Sequence, residues 1–260
     1  MLTWLYVPGD RPDRFASALS SGADTVIVDL EDAVAPDRKA AALEAVAELL
    51  SSDQPLPVQV RISSFDQLDV LTGLPGLTGV RVPKVESPQG VRAADVAGVP
   101  VHALIESARG VEAAFEIATA CAPAGSIGLG EADLSADLHV TDESGLTWAR
   151  SRVVVAARAA GLAPPAMSVY PHVTDLEGLA ASCAAGRRLG MLGRAAIHPR
   201  QLPVIAEAFR PTSAEIEKAQ MLLAAFDPEA GTAVLPDGRF VDIAMVTAAQ
   251  RTVALAARLK

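Results

Sequence analysis

Two carboxylates in this chain follow directly after short apolar runs. Glu106 follows the run at 103–105, and Asp133 comes shortly after the run at 127–130. Because burying an unpaired charge is costly, we expect a buried strand that ends in a charged residue to open onto a functional site. Two carboxylates at neighbouring strand ends, completed by water and a further oxygen ligand, form the usual protein site for Mg²⁺. The structural alternative is that Glu106 caps the next helix and Asp133 makes a loop hydrogen bond.

Arg61 ends another apolar run, at 58–60. A guanidinium at a strand end can bind a carboxylate, or an oxygen on which negative charge develops, in bidentate fashion. The structural alternative is a salt bridge with Asp29 or Glu31. The two roles are compatible.

Three carboxylates, Asp29, Glu31 and Asp32, follow the run at 26–28 and need nearby cations. The candidates are Lys84, Arg38 and Lys39. We interpret the cluster as support for metal-bound waters, together with Lys84 and Glu86, which follow the run at 80–83. A plain surface turn is the alternative for Asp32.

His198 follows the run at 195–197, where a lone histidine is more often a satisfied structural group than a base. The histidines show no metal-ligand spacing, and no Gly-x-Ser-x-Gly motif is present. Neither Cys121 nor Cys183 is predicted at a helix start, which disfavours a Ser or Cys hydrolase.

Strand-like runs alternate with Ala-rich amphipathic segments. We expect strands near 3–7, 25–29, 58–62, 79–83, 101–106, 126–130, 166–170 and 194–198. We expect helices at 12–20, 37–51, 65–72, 88–96, 109–122, 146–160, 175–188, 200–208 and 213–226. Eight strand–helix units in about 225 residues predict an α/β fold of the (β/α)8 TIM barrel type. The alternative is an open doubly wound sheet, but no Gly-x-Gly-x-x-Gly motif follows the first strand.

The chain changes character after residue 226. Residues 227–231 are rich in helix breakers, a hairpin-like piece follows at 233–242, and a helix is expected at 243–259. We therefore predict a barrel domain at 1–226 and a C-terminal lid extension at 227–260. The extension is too short to bury a core by itself, so it must dock on its own barrel or on a neighbour's.

The composition excludes several classes of function. The net charge is −9, aromatic residues make up 4% of the 260 residues, and no basic block is present, which disfavours nucleic-acid binding. No apolar run approaches the roughly 18 to 20 residues that span a bilayer. No basic segment precedes the first strand, and the two cysteines suit a reducing compartment, so we predict a cytoplasmic protein without a membrane partner.

Seven sequence blocks, taken in order, resemble the citrate lyase beta-subunit-like branch of the HpcH/HpaI aldolase family. They are LYVPG at 5–9 with Arg11 and Pro12, VDLEDAV at 28–34, VRI at 60–62, PKVE at 83–86, ALIESARG at 103–110, AIHP at 196–199 with Gln201, and GRFVD at 238–242. The resemblance implies a TIM barrel, usually trimeric, that uses Mg²⁺ on CoA thioesters of 3-hydroxy acids.

The resemblance also implies roles for particular residues. Glu106 and Asp133 match the metal ligands, and Arg61 matches a substrate-binding arginine. Asp242 matches an acid/base aspartate that reaches the active site of an adjacent subunit. Contacts to the thioester ligand are implied for Tyr6, Ile197 and His198. One departure is Gly-Glu-Ala-Asp-Leu at 130–134, where the family often has Gly-Ala-Glu-Asp-Leu, so Glu131 does not inherit the role of the usual glutamate.

These expectations combine into a function. We expect a Mg²⁺-dependent lyase that cleaves a citramalyl-, malyl- or citryl-CoA-like thioester into a 2-keto acid and acetyl-CoA by a retro-Claisen reaction. The alternatives are a malyl-CoA-type thioesterase, a malate-synthase-like activity, an aldolase acting without CoA, and a non-catalytic partner barrel. CoA phosphates would need local cations, for which the candidates are Arg11, Arg14 and Lys39.

Overall fold

The computed structural model describes residues 1–121, 123–226, 232–234 and 240–258. The chain forms two compact units, Met1–Ala208 and Phe209–Lys260. The predicted boundary at 226/227 therefore differs from the division between these units.

The first unit contains a parallel sheet, seven-stranded within the described residues. Its strands are β1 (Thr3–Pro8), β2 (Thr25–Asp29), β3 (Val58–Arg61), β4 (Leu77–Val82), β5 (Val101–Ile105), β6 (Ser126–Leu129) and β7 (Arg194–Ala196). They lie in the order β6-β5-β4-β3-β2-β1-β7. Every residue of β2 and β5 is buried, as expected for a parallel sheet that is covered on both faces.

Helices follow the strands along the chain. Up to residue 209 they are α1 (Phe15–Leu19), α2 (Lys39–Leu50), α3 (Leu68–Leu71), α4 (Pro88–Ala94), α5 (Ala108–Glu112), α6 (Ala114–Ala120), α7 (Glu131–Asp137), α8 (Thr147–Ala159), α9 (Leu176–Arg188) and α10 (Leu202–Phe209). Short 3₁₀ turns are Pro12–Arg14, Pro36–Arg38, Phe65–Gln67, Asp95–Ala97, Glu143–Leu146 and Pro199–Gln201. The core holds fully buried side chains such as Ile27, Ile62, Ile105 and Ile127, each worth about 1.5–3 kcal/mol of hydrophobic stabilisation.

The strand predicted at 166–170 is not formed. Met167 alone makes a parallel bridge to Arg194. Its N–H donates to the Gly193 carbonyl at 2.9 Å, and its carbonyl accepts from Ala195 N–H at 3.0 Å. Pro164 and Pro165 come just before and have no N–H to donate, so on that side only the Pro165 carbonyl takes part, accepting from Leu192 N–H at 3.0 Å. The ladder therefore establishes an α/β fold with a parallel sheet, and the closed barrel that the sequence predicts stays a prediction.

Two helices also differ from expectation. The helix predicted at 109–122 is divided into α5 and α6, and its last residue lies outside the described part of the chain. The helix α7, directly after β6, was not predicted. It places Asp133 in a first helical turn rather than at a strand end.

The second unit is built on two helices, α11 (Ser213–Ala225) and α12 (Ile243–Arg258). Their buried cluster is Ala219, Leu222, Val241, Val246 and Ala249. Two short strands, β8 (Ala233–Val234) and β9 (Phe240–Val241), pair antiparallel. The residues between them, 235–239, lie outside the described part of the chain, so the hairpin stays a prediction. Among the described residues, no helix is long and apolar enough to cross a membrane.

Candidate active site

Arg61 lies at the centre of a group of carboxylates. Parallel pairing places it opposite Asp29, the last residue of β2. Its Nε and Nη2 donate to Asp29 Oδ1 and Oδ2 at 2.7 and 2.6 Å, a bidentate arrangement. Its Nη1 lies 3.1 Å from Asp32 Oδ2 and 2.8 Å from Glu31 Oε2. The salt bridge with Asp29 or Glu31, which the sequence left open as an alternative, is therefore formed. Burial lowers the pKa of Arg61, but the acidic neighbours outweigh this effect and raise the pKa above its ordinary value.

The turn after β2 is folded around Asp29. Its two carboxylate oxygens also accept the backbone N–H groups of Glu31, at 2.9 Å, and Ala33, at 3.1 Å. Lys39 Nζ donates to the carbonyls of Leu30 and Glu31, both at 2.9 Å, and these hydrogen bonds stabilise the turn. Of the predicted partner cations, Lys84 does contact the cluster, whereas Arg38 pairs with Asp10 at 3.0 Å.

Glu106 is buried next to this cluster, with 5% of its surface exposed. Its Oε2 accepts the backbone N–H of Lys84 at 3.1 Å, while Lys84 Nζ lies 2.7 Å from Glu31 Oε1. Burial raises the pKa of Glu106 to about 7, and the negative charges of Glu31 and Asp133 add to the effect. The helix cap after β5 is Ser107, whose hydroxyl accepts from Gly110 N–H at 3.2 Å, so Glu106 does not have the capping role.

Asp133 lies close enough to Glu106 to affect its ionisation. It occupies the first turn of α7, and Gly130 is the residue that precedes this helix. The Glu106 carboxylate packs directly against Gly130, where any Cβ would collide with it. Within the described part of the chain, the Asp133 carboxylate is exposed and has no hydrogen-bond or ion-pair partner. The structure thus brings Glu106 and Asp133 together, and the loop hydrogen bond proposed as the alternative for Asp133 is not seen among these residues.

These carboxylates fit a hard divalent cation. Glu106 is buried, and its pKa is raised by burial and by the negative charges of Glu31 and Asp133. Excess negative charge of this kind is what a cation would neutralise. Among the described residues, no group of three or more His, Cys, Asp or Glu side chains could hold a metal. A pair of carboxylates completed by water is what Mg²⁺ commonly uses, so the donors match that ion rather than an all-protein cage.

Glu131 has a structural partner. Its carboxylate forms a bidentate pair with Arg150 of α8, with both distances 2.7 Å. The Arg150 guanidinium also lies 2.8 Å from Glu143, which in turn accepts from Ser182 Oγ at 3.0 Å. This network fastens the start of α7 to α8 and α9. Sequence reasoning did not identify Arg150 or Glu143.

Tyr6, Ile197 and His198 occupy different environments. The Tyr6 ring lies under the Arg61 guanidinium, 5.2 Å from centroid to Cζ. The Ile197 side chain is exposed, and its N–H donates to Gln201 Oε1 at 3.0 Å. His198 Nδ1 accepts Arg200 N–H at 3.1 Å and caps a 3₁₀ turn, which is the structural role given as its alternative. The contact of all three with a ligand stays a prediction.

The remaining predicted residues have structural contacts. Glu86 accepts from the hydroxyl of the cap Ser107 at 2.6 Å. Asp242 lies in the second unit, where its Oδ1 accepts Met245 N–H at 3.0 Å at the start of α12. Arg11, a candidate for the CoA phosphates, pairs with Asp13 at 2.7 Å. The acid/base role of Asp242 stays a prediction.

A series of hydrogen-bonded polar side chains crosses the sheet beside this site, and it was not predicted from the sequence. Arg81 Nε donates to Gln59 Oε1 at 2.8 Å, Gln59 Nε2 lies 2.9 Å from His102 Nε2, and His102 Nδ1 lies 2.9 Å from Ser126 Oγ. The available signal was a charged or polar residue within an apolar strand, as with Arg81 between Val80 and Val82.

The family is established by comparison with known proteins. The model of the HpcH/HpaI aldolase/citrate lyase family matches residues 2–199. The chain belongs to this family. The resemblance noted from the sequence blocks is thereby confirmed.

Three relatives of this family member cover nearly its whole length. A citrate lyase subunit beta-like protein of Mycobacterium tuberculosis is 36% identical over 264 residues, 95% of this chain and 92% of that protein. A (3S)-malyl-CoA thioesterase of Cereibacter sphaeroides is 35% identical, with 97% and 93% covered. An L-malyl-CoA/beta-methylmalyl-CoA lyase of Rhodobacter capsulatus is 30% identical, with 95% and 91% covered.

A solved structure agrees with these relatives. The protein CitE of Mycobacterium tuberculosis, in complex with magnesium, acetoacetate and coenzyme A, superposes with a TM-score of 0.82 at 34% identity, covering 98% of both chains. Magnesium and CoA, the cofactor and the substrate carrier expected from the sequence, are thus both bound by this structural neighbour.

Proposed function

We propose that this protein is a Mg²⁺-dependent carbon–carbon lyase. Its substrate would be a CoA thioester of a 3-hydroxy acid, of the citramalyl-, malyl- or citryl-CoA type, and its products a 2-keto acid and acetyl-CoA. The observation that carries the proposal is that Asp133, which has no hydrogen-bond or ion-pair partner among the described residues, lies close enough to Glu106 to raise its pKa, beside the Arg61 cluster. Membership of a family that includes a malyl-CoA lyase supports it.

The bonds change as in a retro-Claisen reaction. The substrate hydroxyl gives its proton to solvent, and its carbon becomes the carbonyl carbon of the 2-keto acid. The bond to the neighbouring carbon breaks, and its electron pair passes to the acetyl-CoA fragment as an enolate. Asp242, carried by the lid of an adjacent subunit, would donate the proton that completes acetyl-CoA.

Glu106 and Asp133 would hold the Mg²⁺ ion. When bound, this ion would act as a Lewis acid toward the oxygens of the substrate part that becomes the 2-keto acid. Arg61 would bind the substrate carboxylate or the oxygen on which charge develops. Asp29 fixes the orientation of this guanidinium through the bidentate pair. Asp32 is the partner that a ligand would displace, because its side chain is 59% exposed whereas that of Asp29 is 3% exposed.

The remaining residues would shape the pocket. Tyr6, Ile197 and His198 would line the thioester end, and the lid would exclude water. We further propose a closed (β/α)8 barrel, a homotrimer and a cytoplasmic location. The location is supported by Cys121 and Cys183, which are buried free thiols.

A second candidate function is thioester hydrolysis on the same substrates. A (3S)-malyl-CoA thioesterase is among the relatives, at 35% identity. The two reactions differ in whether water reaches the thioester carbonyl. Hydrolysis releases free CoA and the intact hydroxy acid, whereas the lyase reaction leaves the thioester bond unbroken.

A product assay separates the candidates. The protein would be incubated with Mg²⁺ and malyl-, citramalyl- or citryl-CoA, and 2-keto acid and free thiol would be measured in parallel. If the protein is a lyase, keto acid should form without free thiol. With EDTA, or with Glu106→Gln, neither product should form. Thiol without keto acid would establish the thioesterase instead, and neither product from any thioester would overturn both.

A further inference from the structure

The helix α7 carries its acidic side chains on two opposite faces. Successive residues of an α-helix are about 100° apart, so Asp133 lies about 200° from Glu131 and about 40° from Asp137. Leu134, three residues after Glu131 and on the same face, is fully buried, whereas Asp133 and Asp137 are exposed. The face of Glu131 is therefore the inner face of α7, and Asp133 and Asp137 lie on its outer face.

Arg150 of α8 binds the inner face of α7. Its Nε and Nη2 donate to the two carboxylate oxygens of Glu131, each at 2.7 Å. The side chains of Arg150 and Glu131 are only 5% and 13% exposed, so water has little access to the pair. A bidentate pair between a guanidinium and a carboxylate fixes orientation as well as distance. This contact therefore fixes the rotation of α7 about its own axis.

The Arg150 guanidinium is itself held by further contacts. Its Nη2 also donates to Glu143 Oε1 at 2.8 Å, and the same oxygen accepts from Ser182 Oγ of α9 at 3.0 Å. Ser182 Oγ in turn accepts from Nη2 of the buried Arg194 of β7 at 3.1 Å. Arg150 is thus part of a connected network, and it can act as a fixed point for α7.

The outer face of α7 is directed at the segment that carries Glu106. Asp137 Oδ2 accepts the backbone N–H of Ala108, two residues after Glu106, at 2.7 Å. Gly130, the residue before the helix, packs against the Glu106 carboxylate itself. Because Asp133 shares the face of Asp137, the observed rotation of α7 presents Asp133 to the same segment.

We propose that Arg150 is a positioning residue for the metal site. By holding Glu131 on the inner face of α7, it keeps Asp133 turned toward Glu106, so that the two carboxylates can share one ion. The order Glu-Ala-Asp at 131–133, in which this chain departs from the usual family pattern, puts the partner of Arg150 and the metal ligand on opposite faces. The effect on the metal rests on the function proposed above, whereas the hold on α7 does not.

The test compares three variants of the full chain. Arg150→Lys keeps the charge but cannot form the bidentate pair, and Glu131→Gln keeps the size of the side chain without its charge. Val153→Ala is the matched control, because Val153 is fully buried on the same helix as Arg150 and takes no part in the ion pairs. All three changes should lower Tm. Affinity for Mg²⁺ is measured by titration calorimetry with pyruvate present, well below each Tm.

We expect the two variants of the ion pair to bind Mg²⁺ about tenfold more weakly than the unchanged protein. Val153→Ala should bind Mg²⁺ as the unchanged protein does. Unaltered Mg²⁺ affinity in both Arg150→Lys and Glu131→Gln would overturn the inference. An equal loss in Val153→Ala would also overturn it, because the loss would then follow from general destabilisation.

Hydrogen exchange without metal separates this inference from the proposed function. Within α7 and at its end, the N–H groups of Leu134 and Leu138 donate to the carbonyls of Gly130 and Leu134, at 3.1 and 2.9 Å. NMR should show faster exchange of these two amides in Arg150→Lys than in Val153→Ala, because only the first change frees α7 to open locally. If the unchanged protein binds no Mg²⁺, the proposed function fails. Faster exchange would still support the hold on α7, and unchanged exchange would contradict it.

Discussion

The backbone N–H of Lys84 donates a hydrogen bond to Glu106 Oε2 at 3.1 Å from a left-handed conformation, with φ 54°. Few non-glycine residues adopt positive φ, and those that do are held there by their surroundings. Here the conformation directs the N–H at the buried carboxylate, while Nζ of the same residue reaches Glu31 at 2.7 Å. One residue thus joins the proposed metal ligand to the acidic cluster through both its backbone and its side chain.

The strain at Lys84 can be measured by comparing Lys84→Gly with Lys84→Ala. Both variants lose the contact with Glu31, but only alanine keeps a Cβ at positive φ. We expect Lys84→Gly to be more stable than Lys84→Ala by about 1 kcal/mol in denaturant unfolding. Equal stabilities would mean that the backbone relaxes without cost.

The metal assignment predicts that Asp133→Ala abolishes Mg²⁺-dependent binding of pyruvate in titration calorimetry. Since Asp133 is exposed and unpartnered within the described residues, its removal should change the free energy of unfolding by no more than about 0.5 kcal/mol. Asp137→Asn is the matched control, because Asp137 lies on the same helix and accepts Ala108 N–H at 2.7 Å, a contact that asparagine keeps. Unaltered pyruvate binding by Asp133→Ala would remove Asp133 from the site.

The acid/base assignment predicts that Asp242→Asn keeps ligand affinity but loses turnover. Asparagine caps a helix about as well as aspartate, so α12 should keep its N-terminal hydrogen bond to Met245. Asp242→Ala should lose turnover and, in addition, about 1 kcal/mol of stability. Single-turnover product formation and thermal unfolding check the two effects separately. An Asp242→Asn variant that turns over normally would contradict the assignment.

The polar chain beside the site fixes the tautomer of His102. Arg81 can only donate, so Gln59 Oε1 accepts, Gln59 Nε2 donates to His102 Nε2, and the His102 proton resides on Nδ1, facing Ser126. Nitrogen-15 NMR of the imidazole should therefore show a neutral ring protonated at Nδ1. Burial and the charge of Arg81 lower the pKa of His102 to about 3, which agrees with a neutral ring.

The lowered pKa of His102 predicts that the free energy of unfolding depends on pH. The unfolded chain takes up a proton at His102 below pH 6.5, while the folded chain does so only near pH 3. The contribution of His102 is therefore fully present above pH 6.5 and is lost as the pH falls toward 3. Between pH 7 and 5 the folded protein should lose about 2 kcal/mol relative to His102→Gln, as measured by denaturant unfolding. Parallel pH profiles for the two proteins would show that His102 titrates in the folded state.

Much of the architecture follows from local sequence patterns. The strands predicted at 3–7, 25–29 and 101–106 match observed strands within one residue at each end, because continuous apolar runs suit strands covered on both faces. The pattern failed at 166–170, where only Met167 forms a bridge and where the two preceding residues are prolines without an N–H to donate. It also missed α7, because a seven-residue helix is too short for a clear periodic signal.

The sequence by itself determined which chemical groups stand at the strand ends, because a strand's direction carries its last residue to the edge of the sheet. Only the tertiary structure decided the pairings. Arg61 joins Asp29 across 32 positions, and Lys84 joins Glu31 across 53. Such contacts depend on the register of neighbouring strands, which long-range packing selects. The same packing determined that Arg81 is buried without a carboxylate partner among the described residues, a property that no local pattern encodes.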